Sequence, residues 1–354
     1  MRPSAFPTRS KTINPFRDTS EVQEAARLLA AGELVAIPTE TVYGLAADAS
    51  NPQAVAKIFA AKGRPADHPL IVHIAGVEQL DQWAREIPPA AHVLAEKYWP
   101  GPLTLILKRQ PGVPDAVTGG QDTVGVRVPK HPLALSLLKT FTEIEGGADL
   151  RGLAAPSANK FGRISPTRAA HVRQDLGDEV AMVLDGGECE VGIESTIVDL
   201  SRGTPVVLRP GAITAEAIET LLGQHADAQM QATAPRVSGA LAAHYAPRTP
   251  LQLVAGDALL AQVDACVRKD EKLAVLAFHV SPLHHDEAVR WFAAAHSAQH
   301  YAHDLYANLR LLDAAGVDRI LVEAPPATEA WLAVADRLGR AAVGSGADDE
   351  QDAT

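Results

Sequence analysis

The stretch Leu34-Val35-Ala36-Ile37-Pro38-Thr39-Glu40-Thr41-Val42-Tyr43-Gly44-Leu45 carries the first decision about the fold. Its apolar run, closed by a proline, reads as a short strand buried on both faces, the kind found inside α/β sheets. A turn rich in hydroxyls and ending in glycine follows at once. Just past a strand end is where an α/β sheet usually builds a site, although the same residues also suit a helix-capping turn.

Upstream, Ser20 can cap a helix whose Val22, Ala25, Ala26 and Leu29 share one face, with Gly32 placed to stop it. Downstream, Asn51-Pro52 supplies the cap and first-turn proline of another helix, and Ile71-Val72 lies in the next strand. Apolar runs at Leu103 to Leu107, Val124 to Val128, Leu153 to Ala155, Met182 to Leu184, Ile197-Val198 and Val206 to Leu208 continue the alternation, with a helix marked by Leu133, Leu135, Leu137 and Leu138. Hairpin-length as well as helical connections predict a mixed sheet rather than a purely parallel one. Residues 223–250, rich in Gln, Ala, His and Pro, read as a linker. Beyond it come Leu251 to Val254, a helix to about Val267, Leu273 to Phe278, a long helix to about Ala315, Ile320 to Val322 and a helix near Leu338, which predict a smaller Rossmann-like α/β layer. The expected organisation is an arm (1–19), an α/β domain (20–222), the linker (223–250), a second α/β domain (251–345) and an acidic tail (346–354).

A chain of 354 residues accommodates two such domains, and 47% hydrophobic with 21% charged residues is a globular composition. The net charge of −11 argues against broad adhesion to nucleic acid or anionic membrane, so any basic site must be a local cleft. Two cysteines, Cys189 and Cys266, are too few for a disulfide framework or a cysteine-based zinc module and fit a reducing compartment. The apolar runs are far shorter than a membrane span, and a cytoplasmic location is expected. No P-loop, dinucleotide fingerprint, H-E-x-x-H or G-x-S-x-G occurs, so a bound nucleotide must be held by another device. His296, His300 and His303 with Asp304 have helical metal-ligand spacing, which also describes surface histidines of an Ala-rich helix.

Three clusters carry chemistry. The hydroxyl turn at 38–45 is the first. In the second, Lys62-Gly63-Arg64-Pro65-Ala66-Asp67-His68, two cations flanking a glycine can converge on one phosphate or can answer a helix dipole. In the third, Ala155-Pro156-Ser157-Ala158-Asn159-Lys160-Phe161-Gly162-Arg163-Ile164-Ser165, small residues permit close approach of a planar ligand while Ser157, Asn159 and Ser165 offer directed hydrogen bonds. Gly192-Ile193-Glu194-Ser195-Thr196 and Leu208-Arg209-Pro210-Gly211 repeat the pairing of a turn glycine with a hydroxyl or a cation.

Taken in this order, the motifs closely resemble the YrdC/YciO-like family in its long form, which carries an extra C-terminal domain. The likeness is strong over about 20–222 and extends through Ser238-Gly239-Ala240, His244-Tyr245-Ala246-Pro247 and Tyr301 to Ala307. The resemblance implies a YrdC-like twisted mixed sheet joined to the Rossmann-like unit. It implies condensation of L-threonine, bicarbonate (or CO2) and ATP into threonylcarbamoyl-AMP and pyrophosphate, with no protein nucleophile. A partner transferase complex would then modify adenosine 37 of tRNA. Lys62 and Arg64 would meet the phosphates, with Mg2+ as counter-ion held with ATP rather than by a protein cage. His68, Thr123, Ser157, Asn159, Ser165, Arg209 and Tyr245 would complete the ATP side. Arg127 would grip the threonine carboxylate, with Thr41, His73, the Ala155 backbone and Ser195 around it, and either Thr41 or Ser195 reading the side-chain hydroxyl. The alternative reading is a double-stranded-RNA or tRNA-binding module without turnover, for which a weak RNA contact would suffice. Residues 140–152 form a longer and more polar connection than the family pattern.

Overall fold

The structure is a computed structural model that describes residues 15–144, 150–224, 234–283 and 285–346, with side chains from residue 20 onward. Its first unit is built on β1 (Val35–Ile37), β2 (Gly44–Asp48), β3 (Ile71–His73), β4 (Leu103–Lys108), β5 (Thr123–Arg127), β6 (Leu153–Ala154), β7 (Met182–Val183), β8 (Thr196–Asp199) and β9 (Val206–Arg209). These form one sheet in the order β7-β1-β2-β6-β3-β5-β4-β8-β9. Pairing is mixed: β1/β7, β3/β5 and β4/β8 are parallel, whereas β1/β2, β2/β6, β3/β6, β4/β5 and β8/β9 are antiparallel. Alternating residues face opposite cores. Val35 and Ile37 pack with Leu29, Leu137 and Phe141 under the helices Pro15–Ala30 and Pro132–Thr142, while Ala36 joins Val55, Ile58 and Leu94 under Pro52–Lys62 and Pro89–Tyr98. Each fully buried aliphatic side chain contributes about 1.5–3 kcal/mol.

The second unit is a four-stranded, wholly parallel sheet, β10 (Leu251–Val254), β11 (Leu273–Ala277), β12 (Val289–Ala293) and β13 (Arg319–Glu323), in the order β10-β13-β11-β12. The mixed sheet and the Rossmann-like layer thus both form as the sequence predicts, with local differences. The first helix begins at Pro15, ahead of the Ser20 cap and inside the stretch read as an arm, since proline is well tolerated in a first turn. Residues 1–14, 145–149, 225–233 and 347–354, which include parts of the arm, the polar connection, the linker and the tail, lie outside the described residues. Strand β2 pairs with β1 in the register Ile37↔Gly44, so the hydroxyl turn is the tip of a hairpin and not a helix cap. Its Gly-Leu-Ala-Ala-Asp sequence has little intrinsic β preference, and burial between two neighbours imposes the strand. Strand β12 interrupts what reads as one long helix, which starts only at Ala298 behind a Ser297 cap and so leaves His296 outside it.

The two units share a core. Val42, Ile164, Ile193 and Tyr245 pack with Tyr301, Leu305, Tyr306 and Leu338 of the second sheet's helices. The approach is closest at Gly192, whose φ of +82° belongs to glycine, and where an added Cβ would lie 2.3 Å from the His303 carbonyl oxygen. Gly192→Ala is therefore expected to destabilise the protein by at least about 1–2 kcal/mol through the backbone conformation alone, before any clash. Urea unfolding at neutral pH measures this, and an unchanged midpoint would show that the contact is not required.

Candidate active site

The helix Pro52–Lys62 begins where Asn51 accepts the amides of Gln53 and Ala54, and it ends at Gly63 in the left-handed conformation. That ending turns the chain so that Lys62 and Arg64 leave the same corner. Lys62 Nζ is buried and donates to the carbonyls of Ser157 (2.5 Å) and Asn159 (2.6 Å). Burial, reinforced by the charge of Arg64, pushes the Lys62 ammonium well below the ordinary lysine range. Arg64 donates to the Pro69 carbonyl at 3.0 Å and lies 3.5 Å from Ser238 Oγ, and burial with the nearby Arg209 lowers it to about 10. Arg209 in turn donates to the Ser195 carbonyl (3.0 Å), Ser195 Oγ (3.1 Å) and the Ser238 carbonyl (2.8 Å). Three cations are thus steadied mainly by carbonyl and hydroxyl oxygens.

Across the sheet, Arg127 leaves the end of β5. It donates to Glu40 Oε1 (2.6 Å), Thr41 Oγ1 (3.0 Å) and the Gly101 carbonyl (3.2 Å). A guanidinium has five N–H groups, so one on each terminal nitrogen is left for a planar partner. Thr39 organises the hairpin tip by accepting the amides of Thr41 and Val42 and donating to the Val42 carbonyl. Burial alone would raise Glu40, but the Arg127 guanidinium and the Lys130 amide hold its carboxylate below the usual range. His73, beside them on β3, is lowered to about 3 by burial and by Arg127, and is therefore neutral.

The described part of 223–250 is not a solvated tether. Ser238, Gly239, His244 and Tyr245 line the same small cavity, of about 40 Å³, as Thr41, His73, Arg127, Ala155, Ser157, Ser195 and Arg209. Tyr245 is fully buried at φ 61°, its ring 5.6 Å from the Arg337 guanidinium. The sequence-derived threonine set (Thr41, His73, Arg127, Ala155, Ser195) thus sits together on one wall, with Ser157, Arg209 and Tyr245 of the ATP set. Lys62 and Arg64 reach that wall through Ser157 and Ser238. His68 stands edge-on to Phe161 at 5.4 Å, and Thr123 lines a neighbouring hollow with Ser238. Asn159 and Ser165 lie behind the wall: Asn159 donates to the Lys160 and Arg163 carbonyls, and Ser165 donates to Glu194 at 2.6 Å. Sequence reasoning quoted Glu40 and Glu194 within its motifs but gave neither a role. The signal that could have found them is that each lies one residue from a chosen hydroxyl, Thr41 or Ser195, where a buried carboxylate must have a cation.

Four buried polar atoms around the cavity have no partner: Arg64 Nε, Asn159 Oδ1, His244 Nδ1 and Tyr245 Oη. Native interiors rarely leave such groups unmet, and clustered here they mark a polar ligand site. Among the described residues, no group of three or more His, Cys, Asp or Glu could hold a metal ion, and no helix is long and apolar enough to cross a membrane.

Fold and site together define a two-domain α/β enzyme of the Sua5/YciO/YrdC class. That family's model, described as telomere recombination, matches residues 27–211, and a threonylcarbamoyl-AMP synthase C-terminal domain matches 213–343. Threonylcarbamoyl-AMP synthase of Pyrococcus abyssi is 41% identical over 332 residues, 91% of this chain and 94% of its own; that of Bacillus subtilis is 41% identical over 92% and 93%. A solved structure of P. abyssi Sua5 complexed with L-threonine superposes with a TM-score of 0.83 at 39% identity, covering 92% of this chain and 94% of that one. The chain belongs to the threonylcarbamoyl-AMP synthase family and is a nucleotidyltransferase.

His244, like His73, is held at about 3, mainly by burial. Both stay neutral in the folded protein and take up a proton on unfolding below the ordinary 6.5. The unfolded chain then binds more protons, so stability should fall as pH drops from about 6.5 toward 3, by up to about 1.4 kcal/mol per pH unit for each histidine. Glu40, lowered from 4.5, adds a loss in the same direction below that value. Urea unfolding between about pH 6.5 and 5 isolates the histidine part, to which His171, lowered to about 4, and His68 and His131, also lowered, add, and His244→Asn should reduce the slope by the share of one residue. Flat wild-type stability across that window would mean the imidazoles are not held neutral.

Proposed function

We propose that this chain joins L-threonine, bicarbonate or CO2, and ATP into threonylcarbamoyl-AMP with release of pyrophosphate. The observation that carries the reading is one cleft with a guanidinium pocket suited to a carboxylate on one side and three buried cations suited to a polyphosphate on the other. Arg127, its plane fixed by Glu40 and Thr41, takes the threonine carboxylate side-on. Thr41 or Ser195 reads the threonine hydroxyl, because an apolar pocket cannot separate threonine well from valine. Neutral His73 keeps further positive charge out of that pocket.

Lys62, Arg64 and Arg209 receive the triphosphate, which relieves the repulsion and desolvation that depress their affinity for protons. Ser157, Asn159, His68, Thr123, Ser165 and Tyr245 shape or back the nucleotide side. Mg2+ would come with the phosphate oxygens and neutralise their charge; Asn159 Oδ1, a buried acceptor without a partner beside Lys62, is a protein oxygen suited to join its shell.

Once the threonine amine has become a carbamate, a carbamate oxygen attacks the α-phosphorus. The bond to the bridging oxygen breaks, and pyrophosphate leaves with the electron pair. No protein nucleophile is required; positioning and charge stabilisation supply the acceleration. The product is a mixed anhydride that water destroys, so a transferase complex acting on tRNA in the cytoplasm would consume it.

Protein supplied with ATP, Mg2+, bicarbonate and L-threonine should release pyrophosphate only when threonine is present. Equal release with and without threonine would overturn the synthase reading, whereas salt-sensitive RNA binding with no release would favour the RNA-binding alternative. Lys62→Ala and Arg64→Ala should each lower kcat/KM roughly thirtyfold or more, equivalent to about 2 kcal/mol, with folding retained. Wild-type turnover in both would remove the pair from catalysis.

A further inference from the structure

Glu194 is the single carboxylate lining a cavity whose other charged wall residues are Arg127 and Arg209. A negative charge beside a phosphate site opposes the ligand, so its surroundings matter. Both of its oxygens are committed: Oε1 accepts Ser165 Oγ at 2.6 Å, while Oε2 accepts the Tyr306 hydroxyl at 2.8 Å and Arg337 Nε at 3.2 Å. Ser165 belongs to the first unit. Tyr306 and Arg337 belong to the second, on the helices Ala298–Asp313 and Leu332–Gly344.

Arg337 is completely buried; its Nη1 donates to the Pro210 carbonyl at 2.7 Å and to Asp336 at 2.9 Å, and its Nη2 to the Glu194 carbonyl at 3.5 Å. It therefore bridges Glu194 and the residue after Arg209 while covering the Tyr245 ring. Among the described residues, Arg209 donates only to Ser195 and Ser238 and makes no hydrogen bond to Glu194. The two cations whose charge acts most on Glu194 are nevertheless Arg337 and then Arg209. A buried carboxylate deprived of one counter-ion turns to another within reach. Without Arg337, that cation is Arg209.

We propose that the second domain takes part in the first domain's reaction by supplying Arg337 as the counter-charge of Glu194, with the Tyr306 hydroxyl as a neutral donor beside it, a positioning contact that leaves Arg209 available to the nucleotide phosphates. The inference rests on the synthase reading for the identity of the phosphate ligand. Glu194 is, on this account, a fixed charge and not a proton carrier, and Arg337 acts through Arg209 without touching substrate.

The test compares Arg337→Met, Glu194→Gln and the double variant in the full chain, by steady-state kinetics and by calorimetry with ATP. Arg337→Met should raise the KM and the Kd for ATP about tenfold or more while the KM for threonine moves about twofold or less. Adding Glu194→Gln should restore most of the loss, because the carboxylate left without Arg337 is removed while Asp336 keeps Arg340. If Arg337 only packs the two domains together, the double variant will be as poor as Arg337→Met or worse, and the proposal falls. Should Arg337→Met fail to fold, Arg337→Gln, which keeps a hydrogen-bond donor and removes the charge, gives the same comparison: a raised Kd for ATP reversed by Glu194→Gln supports the proposal, and an unchanged Kd overturns it. Wild-type protein that binds ATP yet shows no threonine-dependent pyrophosphate release would defeat the synthase reading alone, since the calorimetric comparison still reads the Glu194–Arg337 coupling.

Discussion

Holding like charges together out of water is the constraint on which the rest of this molecule depends. Lys62, Arg64, Arg127 and Arg209 are 3, 6, 4 and 4% exposed, and a cation moved from water into a protein interior costs several kcal/mol unless something opposite meets it. Carboxylates would be the strongest partners, but placed throughout the cleft they would repel the polyphosphate it is to bind. For Lys62, Arg64 and Arg209 the protein uses backbone carbonyls and hydroxyls instead, and of the four only Arg127 is hydrogen-bonded to a carboxylate, Glu40, among the described residues. Ser157, Asn159, Pro69, Gly101, Ser195 and Ser238 all turn a carbonyl oxygen to one of these four side chains. Carbonyl dipoles lower the cost of burial without cancelling the charge, so the cations remain attractive to an anion.

Fixing those carbonyls explains the otherwise irregular architecture. The segment after β6 carries Ser157 and Asn159, and it is tied to the hairpin by the amide of Leu45 on Pro156 and the amide of Ala158 on Tyr43. The hairpin is in turn fastened to β5 by Arg127 and Glu40. A mixed sheet is needed for this, since an all-parallel one would send each connection around a helix and could not bring the β1–β2 tip beside the segment after β6. The two carboxylates that do occur are each given a guanidinium, Arg127 for Glu40 and Arg337 for Glu194. Only the first is paired from within the first domain.

Much of this was legible in the sequence because a cation cluster, a hydroxyl turn and a glycine punctuate the chain wherever a strand or helix ends. Asn51, Pro52 and Gly63 mark the helix that delivers Lys62, and the threonine-side residues all reach one cavity wall. What escaped had no local signature. Strand β2 consists largely of small residues, and its strand character comes from neighbours distant in sequence. The pairing of Glu194 with Arg337 spans two domains, and no periodicity encodes it. Asn159 and Ser165 carry the right side chains at the right spacing, yet the fold commits the Asn159 amide nitrogen to carbonyls and the Ser165 hydroxyl to Glu194.

The segment around Ser238 to Tyr245 lies within the stretch read as a linker, and its buried residues are held by long-range contacts: the amide of His244 on the Arg340 carbonyl, the amide of Ala246 on the Gly162 carbonyl, and Arg337 over the Tyr245 ring. Docked in this way it leaves about 40 Å³ of cavity, space for a water or two and far less than a nucleotide requires. Docking also has an energetic cost. Tyr245 occupies a left-handed conformation, worth roughly 1–3 kcal/mol for a residue other than glycine, and its hydroxyl and His244 Nδ1 are buried without partners at about 1–3 kcal/mol each. A segment docked with unmet polar groups beside Lys62, Arg64 and Arg209 carries that cost until a polyanion reaching those cations and donors lowers it.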